Sequence, residues 1–454
     1  MHQAPGRKNC METRQLHRIS LRNGIGLAAV ITLIAGGGIS EAQTETTGNA
    51  NPLTVTSTNP PVAEGQTFGE KLSDLRVGPF DLHPRLATSL VYDDNILLTS
   101  TNKEADEEWV IRPSIQAVAG DDAALIKYRD LNYDVLAITP GSLIIQKPED
   151  WPGKFFILDY GPGFQVFDKY SVNNSIDQFG TLDLVWPVNK LILGLKQDYQ
   201  LQKLEIIEFD RRTTVETIDT ALSAAYQFGD LTSMESNFRR ISVGYDQTGL
   251  TGYTEYNTED WFNYQLGEEL PISAGVLAGA DEVGGGENQT YEQLRVRARY
   301  NYTEKLAFDA SGGAELRQYQ NGNPETLKPV FTIAGEYRPT LRSTLRLSAF
   351  RQQYAAIFNN YNYTTTGATL EARQGITDRF TAVLSAGFYS LDFTPVAKGL
   401  VAYTGDYYIA RIALDAKIVR HLTGELYYQY LDSKSQTTSA IGDDQVGLQL
   451  VLSY

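Results

Sequence analysis

The chain of 454 residues is acidic, with a formal net charge of −16, a mean hydropathy of −0.29 and 42% hydrophobic residues. That acidity argues against a nucleic-acid partner, whose affinity comes from Lys and Arg neutralising phosphates, and the hydropathy excludes a bundle of membrane helices. A single cysteine excludes a disulfide framework, while 27 Tyr and 39 Gly suit a β-barrel with aromatic girdles.

Residues 1–42 read as a secretory signal. Arg7, Lys8, Arg14, Arg18 and Arg22 form a basic leader, residues 24–39 an apolar run, and Ser40, Glu41 and Ala42 a small-residue cleavage site. Initiation at Met11 would still leave a sufficient leader. Cys10 precedes the apolar run, so the processed chain has no thiol. Removing residues 1–42 takes away a net +3 and leaves about −19. No other stretch reaches the ~20 apolar residues of a membrane helix. An exported chain of this kind can span a membrane only as a closed β-barrel.

Residues 43–79, rich in Thr, Asn, Pro and Ser, read as a flexible periplasmic lead. From residue 80 onward, segments of period two recur, which means strands with two different faces. Leu86, Thr88, Leu90 and Tyr92 oppose Arg85, Ala87, Ser89 and Asp93. Leu294, Val296, Ala298, Tyr300 and Tyr302 oppose Gln293, Arg295, Arg297, Arg299 and Asn301. Tyr408, Ala410, Ile412, Leu414, Ala416 and Ile418 oppose Arg411, Asp415 and Lys417. Tight connections, such as 186–190, 302–305 and 376–379, alternate with longer polar ones, such as 97–106, 279–288 and 433–443. Short periplasmic turns alternating with longer external loops are the arrangement of an outer-membrane barrel. The pattern predicts an all-β, transmembrane antiparallel β-barrel of about eighteen strands, with sixteen as the alternative. Parity makes residues 121–153, with Pro140, Pro148 and Pro152, an insertion in the first periplasmic turn.

The last segment, residues 444–454, places Val446, Leu448, Leu450, Leu452 and Tyr454 on one wholly apolar face. Leu450, Leu452 and Tyr454 resemble the carboxyl-terminal signal that the barrel assembly machinery reads.

At the other end, residues 78–96 read GPFDLHPRLATSLVYDDNI, followed by WVIRPSIQAV at 109–118 and FFILDYGPGFQVF at 155–167. This order resembles the beta-barrel porin-2 family of Gram-negative outer membranes. The matching elements are the Pro-Arg-Leu opening, the Tyr-Asp-Asp-Asn strand end and the Arg-Pro-Ser second strand. The resemblance implies an outer-membrane channel, often linked to exopolysaccharide secretion, and periplasmic export components as partners. It brings no catalytic residue, and the insertion at 121–153 departs from it.

Catalysis finds little support in the residues. Beyond residue 42 the histidines are His83, expected ahead of the first strand, and His421, in a short turn. Neither suits an external His-centred hydrolase. No metal or other cofactor is expected, and Gly284-Gly285-Gly286 lacks the Lys-Ser/Thr of a phosphate loop. What remains is the lumen. Arg295, Arg297 and Arg299 form a cationic ladder, and Arg112, Lys196, Arg240, Arg317, Arg346, Arg411 and Lys417 are assigned inward with them. Asp93, Asp183, Asp198, Asp219, Asp246, Asp309, Glu315 and Asp415 stand against them. Opposed charges either set ionic selectivity or pair across the lumen and fill it. Phe350, Tyr389 and Tyr427 are inward aromatics suited to sugar stacking, and Trp109, Trp186 and Trp261 are assigned to the girdles. The leading expectation is an exopolysaccharide channel in the outer-membrane lipid. Alternatives are a general diffusion porin and a structural or adhesive barrel with a plugged lumen.

Overall fold

The computed structural model describes residues 54–55, 75–120, 153–206, 211–267, 270–320, 325–355, 361–396, 399–435 and 440–453. They form one closed antiparallel barrel of 18 strands. The first six are β1 (Phe80–Asp93), β2 (Asp106–Gly120), β3 (Phe155–Phe167), β4 (Ser175–Val188), β5 (Leu191–Ile206) and β6 (Arg211–Gly229). Next come β7 (Thr232–Tyr245), β8 (Tyr253–Gln265), β9 (Pro271–Val283), β10 (Gln289–Thr303), β11 (Leu306–Tyr319) and β12 (Thr326–Thr340). The circuit ends with β13 (Ser343–Ala355), β14 (Tyr361–Gly375), β15 (Phe380–Pro395), β16 (Tyr403–Val419), β17 (Leu422–Ser435) and β18 (Ile441–Ser453). Each strand pairs with the next, and β18 closes on β1 from Gln445↔Asp93 to Ser453↔Arg85. A two-residue strand, Arg76–Val77, folds back on Phe80–Asp81, and the backbone of Thr54–Val55 pairs with Glu205–Ile206.

The two ends of the barrel differ. At one end β4–β5, β6–β7, β10–β11, β12–β13 and β16–β17 are joined by two-residue turns. In the first of these Asn189 takes φ +53°, a left-handed conformation that Asn tolerates and most side chains do not. At the other end the loops are longer, 94–105 and 246–252 among them. By the barrel rule the turn end is periplasmic and the loop end external.

The period of two explains the two surfaces. Leu294 and Val296 on β10, Leu345 and Leu347 on β13, and Val446, Leu448 and Leu452 on β18 stand exposed on the outside. A band of such residues around a closed barrel costs free energy in water and none in lipid, so the exterior is that of a membrane-spanning barrel. Trp109 and Trp186 lie on this outer face. The opposite parity turns inward and is polar: Asp159, Lys196, Glu235, Glu259 and Glu371 all point into the barrel. Strands run from 13 to 19 residues. Since ~9–11 residues cross the hydrocarbon, the longer strands have a surplus, which shapes the loop end.

Some expectations need correction or fall outside the description. His83 lies within β1 rather than ahead of it, because pairing with β2 begins at Asp81↔Val118. Residues 121–152, almost all of the expected insertion, are outside the described residues, as are residues 1–42, most of the lead and Tyr454.

Candidate functional site: the barrel lumen

The lumen wall repeats one construction. Trp261 on β8 faces Gly275 on β9, Tyr291 on β10 faces Gly279 on β9, and Tyr427 on β17 faces Gly447 on β18. A Cβ built at any of these glycines would collide with the opposing ring. The missing side chain therefore lets each ring lie along the wall. An arginine covers each ring from the lumen side: Arg297 lies 4.1 Å from the Trp261 centroid, Arg317 4.6 Å from Tyr291 and Arg411 4.4 Å from Tyr427. Each guanidinium is then held by carboxylate. Arg297 pairs with Glu235 at 2.8 Å, Arg317 with Glu315 and Asp281 at 2.7 and 2.8 Å, and Arg411 with Glu425 at 2.6 Å. Stacking and pairing pin these long cations against the wall, where they would otherwise sweep the lumen.

The arginine ladder of β10 faces inward throughout. Arg295 lies 3.6 Å from Glu259 and donates to Ser311 Oγ at 3.2 Å. Arg297 also donates to Asn263 Oδ1, and Arg299 lies 3.8 Å from Asp309. Lys196 pairs with Asp198 at 3.2 Å. Arg346 donates to Glu336 at 2.9 Å and lies 3.8 Å from Glu371. Asp415 faces Glu425 across the β16–β17 ladder, beside Arg411. Much of the inward charge is thus balanced within a few ångströms, over a low-dielectric wall where a lone charge would be costly.

Two inward assignments and one girdle assignment are corrected. Arg240 sits on the outer parity of β7 with Met234 and Phe238, lying over Tyr256, and its neighbour Arg239 takes the inward place against Asp219 at 2.5 Å. Asp246 lies past the end of β7 and is exposed; its carboxylate accepts from Thr213 Oγ1 at 2.6 Å and the Thr214 amide at 2.9 Å. Burial alone would raise its pKa, but the bonds from Thr213 and Thr214 hold it below the usual 3.8. Trp261 is no girdle residue, being 3% exposed in the lumen. Phe350, Tyr389 and Tyr427 do point inward.

At the loop end the sheet bends across the mouth. The β12–β13 ladder stops at Phe331↔Arg351, well short of the start of β12, while β13, β14 and β15 remain paired with one another. Freed from β12, the upper part of this three-stranded sheet leans inward. Its back then meets the inner face of β10–β12: Arg317 donates to the Gln353 carbonyl oxygen at 3.5 Å, Asn362 to Tyr319 Oη at 3.1 Å and Lys328 to Thr364 Oγ1 at 2.9 Å. Its front carries Tyr354, Tyr363, Leu391 and Phe393 into one apolar cluster. Leu98 of the β1–β2 loop, Tyr407, Leu431 and Ile441 complete that cluster, with Tyr245 and Leu250 packed against it from the opposite side of the barrel. Tyr354 and Tyr363 stack at 5.2 Å. Leu98 is fully buried at φ +49°, a strained conformation for leucine that the surrounding packing sustains. Burial on this scale stabilises by about 1.5–3 kcal/mol per large side chain. We call the bent sheet the lid.

The Tyr-Asp-Asp-Asn strand end, residues 92–95, fastens the seam below the lid. Asp94 Oδ1 accepts the Asp444 amide at 2.8 Å, Asp93 Oδ2 accepts Gln445 Nε2 at 3.1 Å, and Asn95 Nδ2 donates to the Gly442 carbonyl at 2.9 Å. At the turn end, the Ser453 amide donates to the His421 carbonyl oxygen at 2.9 Å. Leu450 and Leu452 stand on the outer face just beside this clasp.

No family model matches the chain, and no curated relative does. Among solved structures, Pseudomonas aeruginosa OpdQ is similar at 9% identity and a TM-score of 0.43, over 83% of this chain and 99% of that one. The outer membrane channel DcaP of Acinetobacter baumannii follows at 11% identity and a TM-score of 0.42, over 83% of this chain and 97% of that one. The siderophore receptor PirA of Pseudomonas aeruginosa has 9% identity and a TM-score of 0.41, over 84% of this chain and 81% of that one. Likeness this distant leaves function to the chain's own geometry.

Proposed function

We propose that the protein is an outer-membrane channel for a polar, chain-like solute, exopolysaccharide first, in the state where its mouth is closed. The observation that carries the reading is the lumen wall, polar in parity and lined by rings and guanidinia laid back against it. A barrel serving only as a pillar or adhesin has no use for a wall built to keep its long cations out of the path. The resemblance of residues 78–454 to the porin-2 family, distinctive in the N-terminal hairpin, points to exopolysaccharide as the solute. A general diffusion porin is the second reading; it shares the wall, but a lid across the mouth fits a gated exporter better.

In this account Arg295, Arg297, Arg299, Lys196, Asp198, Arg346, Arg411 and Asp415 line the path. Leu450, Leu452 and Tyr454 address the assembly machinery, and residues 1–42 direct export. Periplasmic export components deliver the glycan to the turn end, and no catalysis or cofactor is involved. The test is secretion. Cells lacking the protein should lose extracellular polysaccharide and regain it with the wild-type gene. Unchanged secretion would remove the glycan reading and leave the porin.

A further inference from the structure

A cavity of about 70 Å³ lies between the back of the lid and the inner face of β8–β11. Asp281, Tyr291, Arg295, Arg351, Gln353 and Tyr354 are among the residues that line it. Its walls are already committed in part: Arg317 takes one oxygen of Asp281, and Ser311 takes one end of Arg295. What is left over is informative. Asp281 Oδ1, Arg295 Nε, Arg351 Nε and both amide atoms of Gln353 are buried and make no hydrogen bond to any described residue. Gln353 itself is only 6% exposed. Buried polar atoms left in this way are costly unless something satisfies them.

The mixture of leftover atoms selects the occupant. An anion would want donors alone, and a cation acceptors alone. Here donors from Arg295, Arg351 and Gln353 share the lining with acceptors from Asp281 and Gln353, and a group that both donates and accepts fits such a set. A hydroxyl is that group. Tyr291 and Tyr354 also line the cavity. The volume would hold roughly five waters, or the hydroxylated edge of one sugar unit.

We infer that this cavity is a saccharide subsite, taking the hydroxyl-bearing edge of one neutral sugar residue beneath the lid. The inference deepens the channel reading, because the occupant's back wall is the lid itself. A unit bound here would satisfy the amide of Gln353 and load the lid from below.

The test uses the full-length barrel purified in detergent, titrated calorimetrically with glucose, a glucose oligomer, glucuronate and inorganic phosphate. Saturable binding of the neutral sugars is expected, weakened about tenfold by Gln353→Leu, which keeps the shape and removes both amide atoms. Gln353→Glu, which replaces the donor by a charged acceptor beside Asp281, should weaken neutral-sugar binding as well. No saturable sugar binding, or phosphate binding more tightly than sugar, would overturn the subsite and leave a cavity holding water only. Bilayer recordings on the same preparation separate the two claims. A conducting barrel that ignores sugar overturns the subsite and spares the channel. Sugar binding by a barrel that stays silent even when the lid tip is removed supports the subsite and removes the channel.

Discussion

Asn362 and Gln289 hold each other by both amides across 73 residues of chain: Asn362 Nδ2 donates to Gln289 Oε1 at 2.6 Å, and Gln289 Nε2 donates to Asn362 Oδ1 at 3.2 Å. One residue belongs to the lid and the other to the wall of β10, so the pair is a latch. Both are 2% exposed.

Breaking the latch on one side strands a buried amide on the other, at a cost of about 1–3 kcal/mol. Asn362→Ala and Gln289→Ala should each raise the frequency of channel opening in planar bilayers. The double variant should add less than the sum of the two, since both remove the same interaction.

Arg297 and Glu235 give a second prediction. Glu235 is 0% exposed, and Arg297→Met would leave its charge uncompensated, at about 3–5 kcal/mol. Arg297→Met with Glu235→Gln should recover most of that loss in urea unfolding. If the single and double variants unfold alike, the pair contributes nothing.

The seam can be tested through Asn95, which is fully buried and also accepts the Thr99 amide at 3.0 Å. Asn95→Ala removes the bond to Gly442 and those to Thr99. It should cost about 1–3 kcal/mol and increase amide exchange at the external ends of β1 and β18 before other strands. Uniform exchange would contradict a role at the seam.

Asp246 carries a pH prediction. Its pKa is held below 3.8 by Thr213 and Thr214, so its contribution is present above that value and lost as pH falls through the lower, folded-state pKa. The β6–β7 external ends should therefore loosen only in strong acid. Asp246→Asn should abolish that transition, read from amide exchange at Thr214.

Much of this fold is legible in the residues, because period two, alternating turn lengths and parity each constrain the others. Leu448 and Gln449 declare their faces at a glance. Legibility fails where both parities look alike. Arg239 and Arg240 are adjacent, and only Phe238 and Met234 reveal which one faces lipid. Trp261 sits in a strand whose outer parity carries Thr254, Thr258 and Asp260, so an aromatic near its end reads as girdle until Gly275 is seen opposite. The lid is invisible in sequence, since nothing in Ser343–Ala355 marks the point where pairing with β12 ends. What changes is the partner: β12 lets go of β13 at Arg351, and inner and outer faces exchange surroundings.

The most direct measurement is single-channel conductance of the purified barrel in a planar bilayer, with the wild type compared against a variant whose β13–β14 tip, residues 353–363, is replaced by a two-residue turn. The account predicts a wild type that is mostly silent and a shortened variant that conducts steadily, because the sheet leaning across the mouth closes the path. A folded variant as silent as the wild type, or a wild type already open to the same degree, would contradict it.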